Sequence, residues 1–237
     1  GINMLKAKGY QLAIYPKDEI IPRQALLKSV KGVQALLPIL TDKIDAEVLK
    51  AAGPQLKIVA NYAVGFDNLD LEACKKRGVL VTNAPGPEMV QSVAEHTFAL
   101  ILALAHRIVE SDKFTRAGKY KGWGPQLLLG TDVYGKTLGI VGLGRIGFAV
   151  ADRAVKGFGM KILYTDRERD LEFEKNFSAR GGSALGGEKQ YGARYVDLPT
   201  LLKKSDFVSL HVPLLPSTRH LISTAQFQLM KPTAFLI

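Results

Sequence analysis

Short apolar bursts alternate along the chain with stretches whose apolar positions recur at helical spacing, and this alternation predicts strand-helix repeats and a mainly parallel sheet. In the first part of the chain the bursts predict strands over residues 12–15, 35–37, 58–60 and 79–82. Amphipathic helices are expected over 23–30, 44–51 and 69–77, with Asp42 and Asn68 standing where helix starts are signalled, and a further short helix over 2–8. Residues 90–110 read as one long helix, rich in Ala and Leu and apolar on more than one side, as expected of a helix buried between lobes.

From 111 to 134 the periodicity dissolves into charges, glycines and the single tryptophan, Trp123. This stretch reads as an irregular arm that packs either across an oligomer interface or over its own core. Strand-helix order then resumes, with strands over 137–141, 161–165, 194–196 and 207–211, helices from Arg145 and over 198–203, and a last apolar run at 234–237. Residues 178–192 are rich in Gly and Ser, show no apolar period and read as a flexible insertion without assigned chemistry. The fold class is α/β, divided into a first lobe over 1–92 and a second over 93–237, joined through helix 90–110.

Composition narrows the picture. The chain has 237 residues, is 47% hydrophobic and carries a net charge of +10. No run reaches the ~18 consecutive apolar residues of a membrane span, and no leader pattern opens the chain, so a cytoplasmic protein is expected. The lysines and arginines are scattered over helix-like stretches and form no basic block, which argues for a solvated surface and against nucleic acid. The lone Cys74 forms no internal disulfide and no metal-ligand spacing, so no metal is expected.

The most specific local pattern is Gly142-Leu143-Gly144-Arg145-Ile146-Gly147, which follows an apolar strand and opens a helix. Gly142 serves a tight turn, Gly144 lets a pyrophosphate approach the backbone, and Gly147 lets helix and strand pack closely. A helix start offers unpaired N–H groups and the positive end of a dipole to that anion. Asp166 ends the next strand about 20 residues on, where a carboxylate meets ribose hydroxyls and favours NAD. Arg167 and Arg169 follow it and leave NADP open.

Four segments, Asn61-Tyr62-Ala63-Val64-Gly65-Phe66-Asp67-Asn68, Val93-Ala94-Glu95-His96-Thr97, the glycine turn and Ser209-Leu210-His211-Val212-Pro213-Leu214, occur in an order that resembles the D-isomer-specific 2-hydroxyacid dehydrogenases. The resemblance covers nearly the whole chain and is strongest to the glyoxylate and hydroxypyruvate reductases, with the 3-phosphoglycerate dehydrogenases as near relatives. It implies two Rossmann-like lobes: a flavodoxin-like substrate lobe and an NAD(P)-binding doubly wound parallel sheet. It also implies a cleft between them for cofactor and substrate; a homodimer is expected through helix 90–110 and the arm over 111–134. Implied substrate contacts are the N–H groups of Val64 and Gly65 with Asn61 nearby. Implied cofactor contacts are Val64, Thr97, Leu143, Arg145 and Ile146, then Asp166 with Arg167, and Val212, Pro213 and Thr218 on the adenine side.

Hydride transfer to a 2-oxo acid needs a proton donor for the developing alkoxide and a cation to align the substrate. In the resembled family these are a His steadied by a Glu, and an Arg. All three are expected beyond Ile237, so no catalytic residue is assigned within this chain and efficient turnover is expected only with them. His96, His106, His211 and His220 read as structural. Two competing readings are a non-catalytic NAD-binding sensor or co-repressor of the same fold, and another Rossmann enzyme such as a methyltransferase.

Overall fold

The structure, a computed structural model, describes residues 1–178 and 192–237. The chain forms two compact units, Gly1–Gly86 and Pro87–Ile237. The Gly- and Ser-rich stretch 179–191 lies outside the described residues.

In the first unit the elements run α1 (Ile2–Ala7), α2 (Arg23–Ser29), β1 (Ala35–Leu36), α3 (Ala46–Ala52), β2 (Ile58–Ala60), α4 (Leu71–Lys76) and β3 (Leu80–Thr82). The three strands make a parallel sheet in the order β1-β2-β3, with Ile58 opposite Ala35 on one side and Leu80 on the other. Val48, Leu49, Ala52, Val59 and Cys74 bury themselves in its core. Two aspartates start the helices: Asp45 accepts from the Val48 N–H and Asp70 from the Ala73 N–H.

Asp42 and Asn68, expected at those starts, are used differently. Asp42 Oδ2 accepts from the Ile39 N–H at 2.9 Å and closes a turn, and Asn68 is a buried polar side chain. The expected strand over 12–15 does not form. Its apolar residues have no neighbouring ladder, and Tyr10, Ile14 and Ile20 around it stay exposed.

The second unit runs α5 (Pro87–Ala105), α6 (Ile108–Arg116), β4 (Thr137–Val141), α7 (Arg145–Phe158), β5 (Lys161–Thr165), α8 (Leu171–Ser178), β6 (Ala193–Tyr195), α9 (Leu198–Lys204), β7 (Phe207–Leu210), α10 (Thr224–Leu229) and β8 (Phe235–Leu236). Its sheet is parallel throughout, in the order β6-β5-β4-β7-β8. Helices cover both faces. One apolar cluster joins Ala94, Phe98 and Ile101 of α5 to Val150 and Ala154 of α7 over Leu138, Ile140 and Ile162. The other gathers Leu201 and Leu202 of α9 with Val141 and Val208. Such double winding buries both faces of β4 and β7 and explains why their residues are mostly apolar.

Here too the structure departs from the sequence pattern in places. The long helix expected over 90–110 starts earlier and breaks at Arg107, whose φ of 53° no α-helix tolerates, and α6 occupies the start of the supposed irregular arm. The far end of that arm folds back on its own unit. Thr131 N–H donates to Ala105 O at 2.7 Å and Val133 is buried in the core. Two short helices escaped the periodicity: α8, started by Asp170 accepting from Phe173 N–H, and α10, started by a Ser223/Gln226 capping box. Among the described residues no single helix is long and apolar enough to cross a membrane.

Candidate functional site

Strand β4 lies between β5 and β7, so the connections leaving it and β7 run to opposite sides of the sheet. In open parallel sheets, ligands bind beyond the carboxyl end of the strand at such a switch. The glycine turn occupies that end. Gly142 has φ +94°, and a Cβ there would stand 2.8 Å from His211 O and 2.8 Å from Val212 Cγ1. A Cβ on Gly147 would fall 2.2 Å from Gly142 O, so the start of α7 lies against the turn more closely than any side chain permits. Gly144 is different. A Cβ there would meet nothing within 4 Å, and this residue is the N-cap of α7 without a side chain closing the cap. The first turn of a 14-residue helix thus faces open space with N–H groups available, which fits a diphosphate.

Asp166 leaves β5 beside this turn. Its Oδ2 accepts from Leu143 N–H at 2.6 Å and its Oδ1 from Arg167 N–H at 2.6 Å, while the carboxylate remains exposed. A carboxylate held at the glycine turn with open lone pairs suits a vicinal diol. Behind it stands a polar cluster that the periodicity did not announce. Tyr195 Oη donates to Asp166 O at 3.2 Å, and Glu174 accepts from Tyr164 Oη at 3.0 Å and Tyr195 N–H at 3.1 Å. Arg169 pairs with the same carboxylate through Nε at 3.0 Å and Nη2 at 2.7 Å. Hydrogen bonding from Arg169 holds the Glu174 carboxyl below its ordinary range, and burial pushes the Tyr164 phenol up to about 12. Only the Arg and Glu spacing at the α8 start hinted at this.

Across the sheet switch, β7 exits into residues 211–218. Val212 presses on Gly142, Pro213 is exposed, and Thr218 Oγ1 donates to Pro213 O at 2.5 Å while accepting from Leu215 N–H at 2.8 Å. Thr218 therefore ties the loop closed. Thr97 on α5 is buried, and its hydroxyl is engaged by Val93 O of its own helix at 2.8 Å.

In the first unit, the loop after β2 carries the other expected site residues. Asn83 Nδ2 donates to Val64 O at 2.8 Å and Asn61 Nδ2 to Gly65 O at 2.8 Å, fixing both carbonyls. The N–H groups of Val64 and Gly65 find no acceptor among the described residues. Two adjacent free amides on a braced loop suit a carboxylate. Asn61 itself is 2% exposed, with its amide spent on Gly65 and on Asn68. It sits beneath the loop as a brace for the Gly65 carbonyl. Asn83 carries no signal of this role in the sequence, where nothing in its surroundings distinguishes it from a turn residue.

None of the four histidines pairs with a carboxylate among the described residues. His211 Nε2 lies 2.9 Å from Ser209 Oγ, and burial lowers its pKa to about 4.

Residues 98–237 match the family described as D-isomer specific 2-hydroxyacid dehydrogenase, NAD binding domain. Over 241 aligned residues the chain is 49% identical to a glyoxylate reductase of Thermococcus litoralis, covering 100% of this chain and 67% of the relative. With a glyoxylate reductase of Korarchaeum cryptofilum it shares 51% identity over 223 residues, 93% of this chain and 62% of that one. Among solved structures, a Thermus thermophilus protein has a TM-score of 0.85 at 40% identity, covering 99% of this chain and 68% of that one. A D-lactate dehydrogenase of Aquifex aeolicus, solved with NAD and lactic acid, has a TM-score of 0.76 at 33% identity, covering 99% and 64%. The chain thus spans 62 to 67% of the length of these two curated relatives.

Proposed function

This chain belongs to the D-isomer specific 2-hydroxyacid dehydrogenase family, and from that premise we propose that it serves hydride transfer from NAD(P)H to a small 2-oxo acid of the glyoxylate or hydroxypyruvate kind, and the reverse from the 2-hydroxy acid to the oxidised coenzyme. The observation that carries the reading is the open Gly144 N-cap beside the tethered Asp166 carboxylate. The diphosphate lies on the first turn of α7, against the backbone of Leu143, Gly144, Arg145 and Ile146, and Asp166 takes the adenosine ribose. Val212 and Pro213 border the adenine, in a loop that Thr218 holds. NAD, when bound, supplies the hydride chemistry. In the first unit, Val64 and Gly65 receive the substrate carboxylate on their N–H groups, with Asn61 and Asn83 supporting the loop. The division of labour between a substrate unit and a nucleotide unit follows.

A homodimer in the cytoplasm completes the proposal. Leu104, Ile108 and Val109 at the junction of α5 and α6 are exposed, and Trp123 further along is 83% exposed, apolar side chains suited to contact with a second copy. No observation favours the sensor or methyltransferase readings.

Calorimetric titration of the folded chain with NADH tests the nucleotide assignment. Binding that Gly144→Val abolishes is the expected result, and no heat from either nicotinamide coenzyme would refute it. Amide spectra of the 15N-labelled chain test the substrate assignment: glyoxylate shifts Val64 and Gly65, whereas unmoved signals at saturating glyoxylate and NADH count against it. Sedimentation reports the dimer.

A further inference from the structure

We propose that Glu174 sets the coenzyme preference of the second unit, by occupying the guanidinium of Arg169 so that a 2′-phosphate meets one arginine, Arg167, instead of two. The inference rests on the nucleotide reading above and names the residue that governs which nucleotide is taken.

The turn from β5 to α8 carries two cations beyond Asp166, and they stand in different circumstances. Arg167 is exposed, and its guanidinium makes no hydrogen bond or ion pair among the described residues. Arg169 is committed to Glu174 through Nε and Nη2 at 3.0 and 2.7 Å. A guanidinium fork that already grips a carboxylate bidentately cannot grip a phosphate on the same edge.

The carboxylate cannot follow the arginine outward. The Glu174 side chain is 13% exposed, against 56% for Arg169. It also receives Tyr164 Oη and Tyr195 N–H. Tyr164 is buried within the sheet and its oxygen in turn accepts from Asp170 N–H at 2.9 Å. The anchor is therefore part of the α8 and β6 framework, and Arg169 is the movable partner. Losing this pair to bind a phosphate means breaking two charge-assisted hydrogen bonds to a largely buried carboxylate, a cost NAD avoids. Asp166, whose carboxylate repels a 2′-phosphate directly, acts in the same direction.

Dissociation constants for NADH and NADPH, measured by fluorescence on the full 237-residue chain, test this. Glu174→Gln should tighten NADPH about tenfold while NADH stays within about twofold. Adding Arg169→Gln to it should erase the gain. Glu172→Gln, which removes a charge from the same helix without touching Arg169, should not reproduce it. Glu174→Asp keeps the charge but shortens the reach; it should give a smaller gain of about threefold and covers the case in which Glu174→Gln does not fold. An unchanged NADPH to NADH ratio in both variants, equal tightening of both nucleotides, or a gain that survives loss of Arg169 would overturn the proposal. Failure of the unaltered chain to bind NADH would overturn the nucleotide reading itself, and this inference with it.

Discussion

The backbone N–H of Leu143 donates to Asp166 Oδ2 at 2.6 Å, so the turn after β4 and the turn after β5 are fastened to each other by one carboxylate. The bond sets where the carboxylate stands while leaving its other lone pairs exposed. Asp166→Ala removes both the tether and the ribose acceptor. NADH affinity should fall at least tenfold, consistent with the ~1.5–3 kcal/mol of hydrogen bonds to a charged group. NADPH should lose less, because the repulsion of its phosphate is removed as well. Fluorescence titration of both nucleotides checks the difference, and an equal loss would show that Asp166 does not read the ribose.

Two glycines of one turn should respond oppositely to the same methyl group. At Gly147 the added carbon would lie 2.2 Å from Gly142 O, a backbone atom that cannot step aside without separating α7 from β4. Overpacking of this kind costs about 1–3 kcal/mol and more when backbone must move. Gly147→Ala should therefore lower the denaturation midpoint. At Gly144 the carbon enters open space. Gly144→Ala should leave stability within about 0.5 kcal/mol yet weaken NADH, since the methyl occupies room meant for phosphate. Denaturant curves and NADH titrations on both variants separate the two roles.

Which parts of this were legible beforehand follows from the kind of force involved. Strands β4 and β5 and the glycine turn announce themselves because double winding makes the strand interiors apolar and the turn leaves no room for a Cβ at Gly142 or Gly147. Local chemistry predicts less well where a residue has two possible uses. Asp42 and Asn68 carry helix-start chemistry, yet the nearby Asp45 and Asp70 perform it, leaving the former pair for a turn and a buried brace. The positive φ at Arg107 leaves no mark on apolar spacing, and the return of Thr131 to Ala105 joins residues too far apart in sequence for any such window. The site divides the same way. Backbone-driven features such as Gly144 are readable, whereas Asn83 and Tyr195 act on Val64, Asp166 and Glu174, partners that only folding brings near.

His211 makes stability depend on pH in a window of its own. Burial lowers its folded pKa to about 4, below the ordinary value of 6.5. The unfolded chain therefore binds a proton that the folded one refuses. Stability from this group is complete above pH 6.5 and is lost as pH falls toward 4, by up to about 3 kcal/mol. Asp45, Glu174 and Asp206 have depressed pKa values, so their contribution is present above the ordinary carboxylate range and fades only at lower pH. A melting temperature that drops between pH 7 and 5 in the native chain, but little in His211→Gln, is the expected result. Equal drops in both would assign the loss elsewhere.

The carboxylate loop of the first unit depends on a reciprocal amide pair. Asn61 Nδ2 donates to Asn68 Oδ1 at 3.1 Å while Asn68 Nδ2 donates to Asn61 Oδ1 at 3.2 Å. Asn68 reaches further, to Ile39 O and Asp42 O, each at 3.1 Å. Asn61 reaches to Gly65 O. Both side chains are buried, so a partner removed from one leaves polar atoms of the other without water. Asn68→Ala should cost about 2–4 kcal/mol, more than a single hydrogen bond is worth, because several buried groups lose their partner together. Asn61→Ala should then add much less in the Asn68→Ala background than alone, with a coupling of about 0.5–3 kcal/mol. The loop should loosen in parallel: amide exchange at Val64 and Gly65 should speed up in either variant under conditions where the rest of the chain stays folded. Additive stability losses, or unchanged exchange at those two amides, would mean that Asn83 alone holds the loop and that the pair merely fills the core.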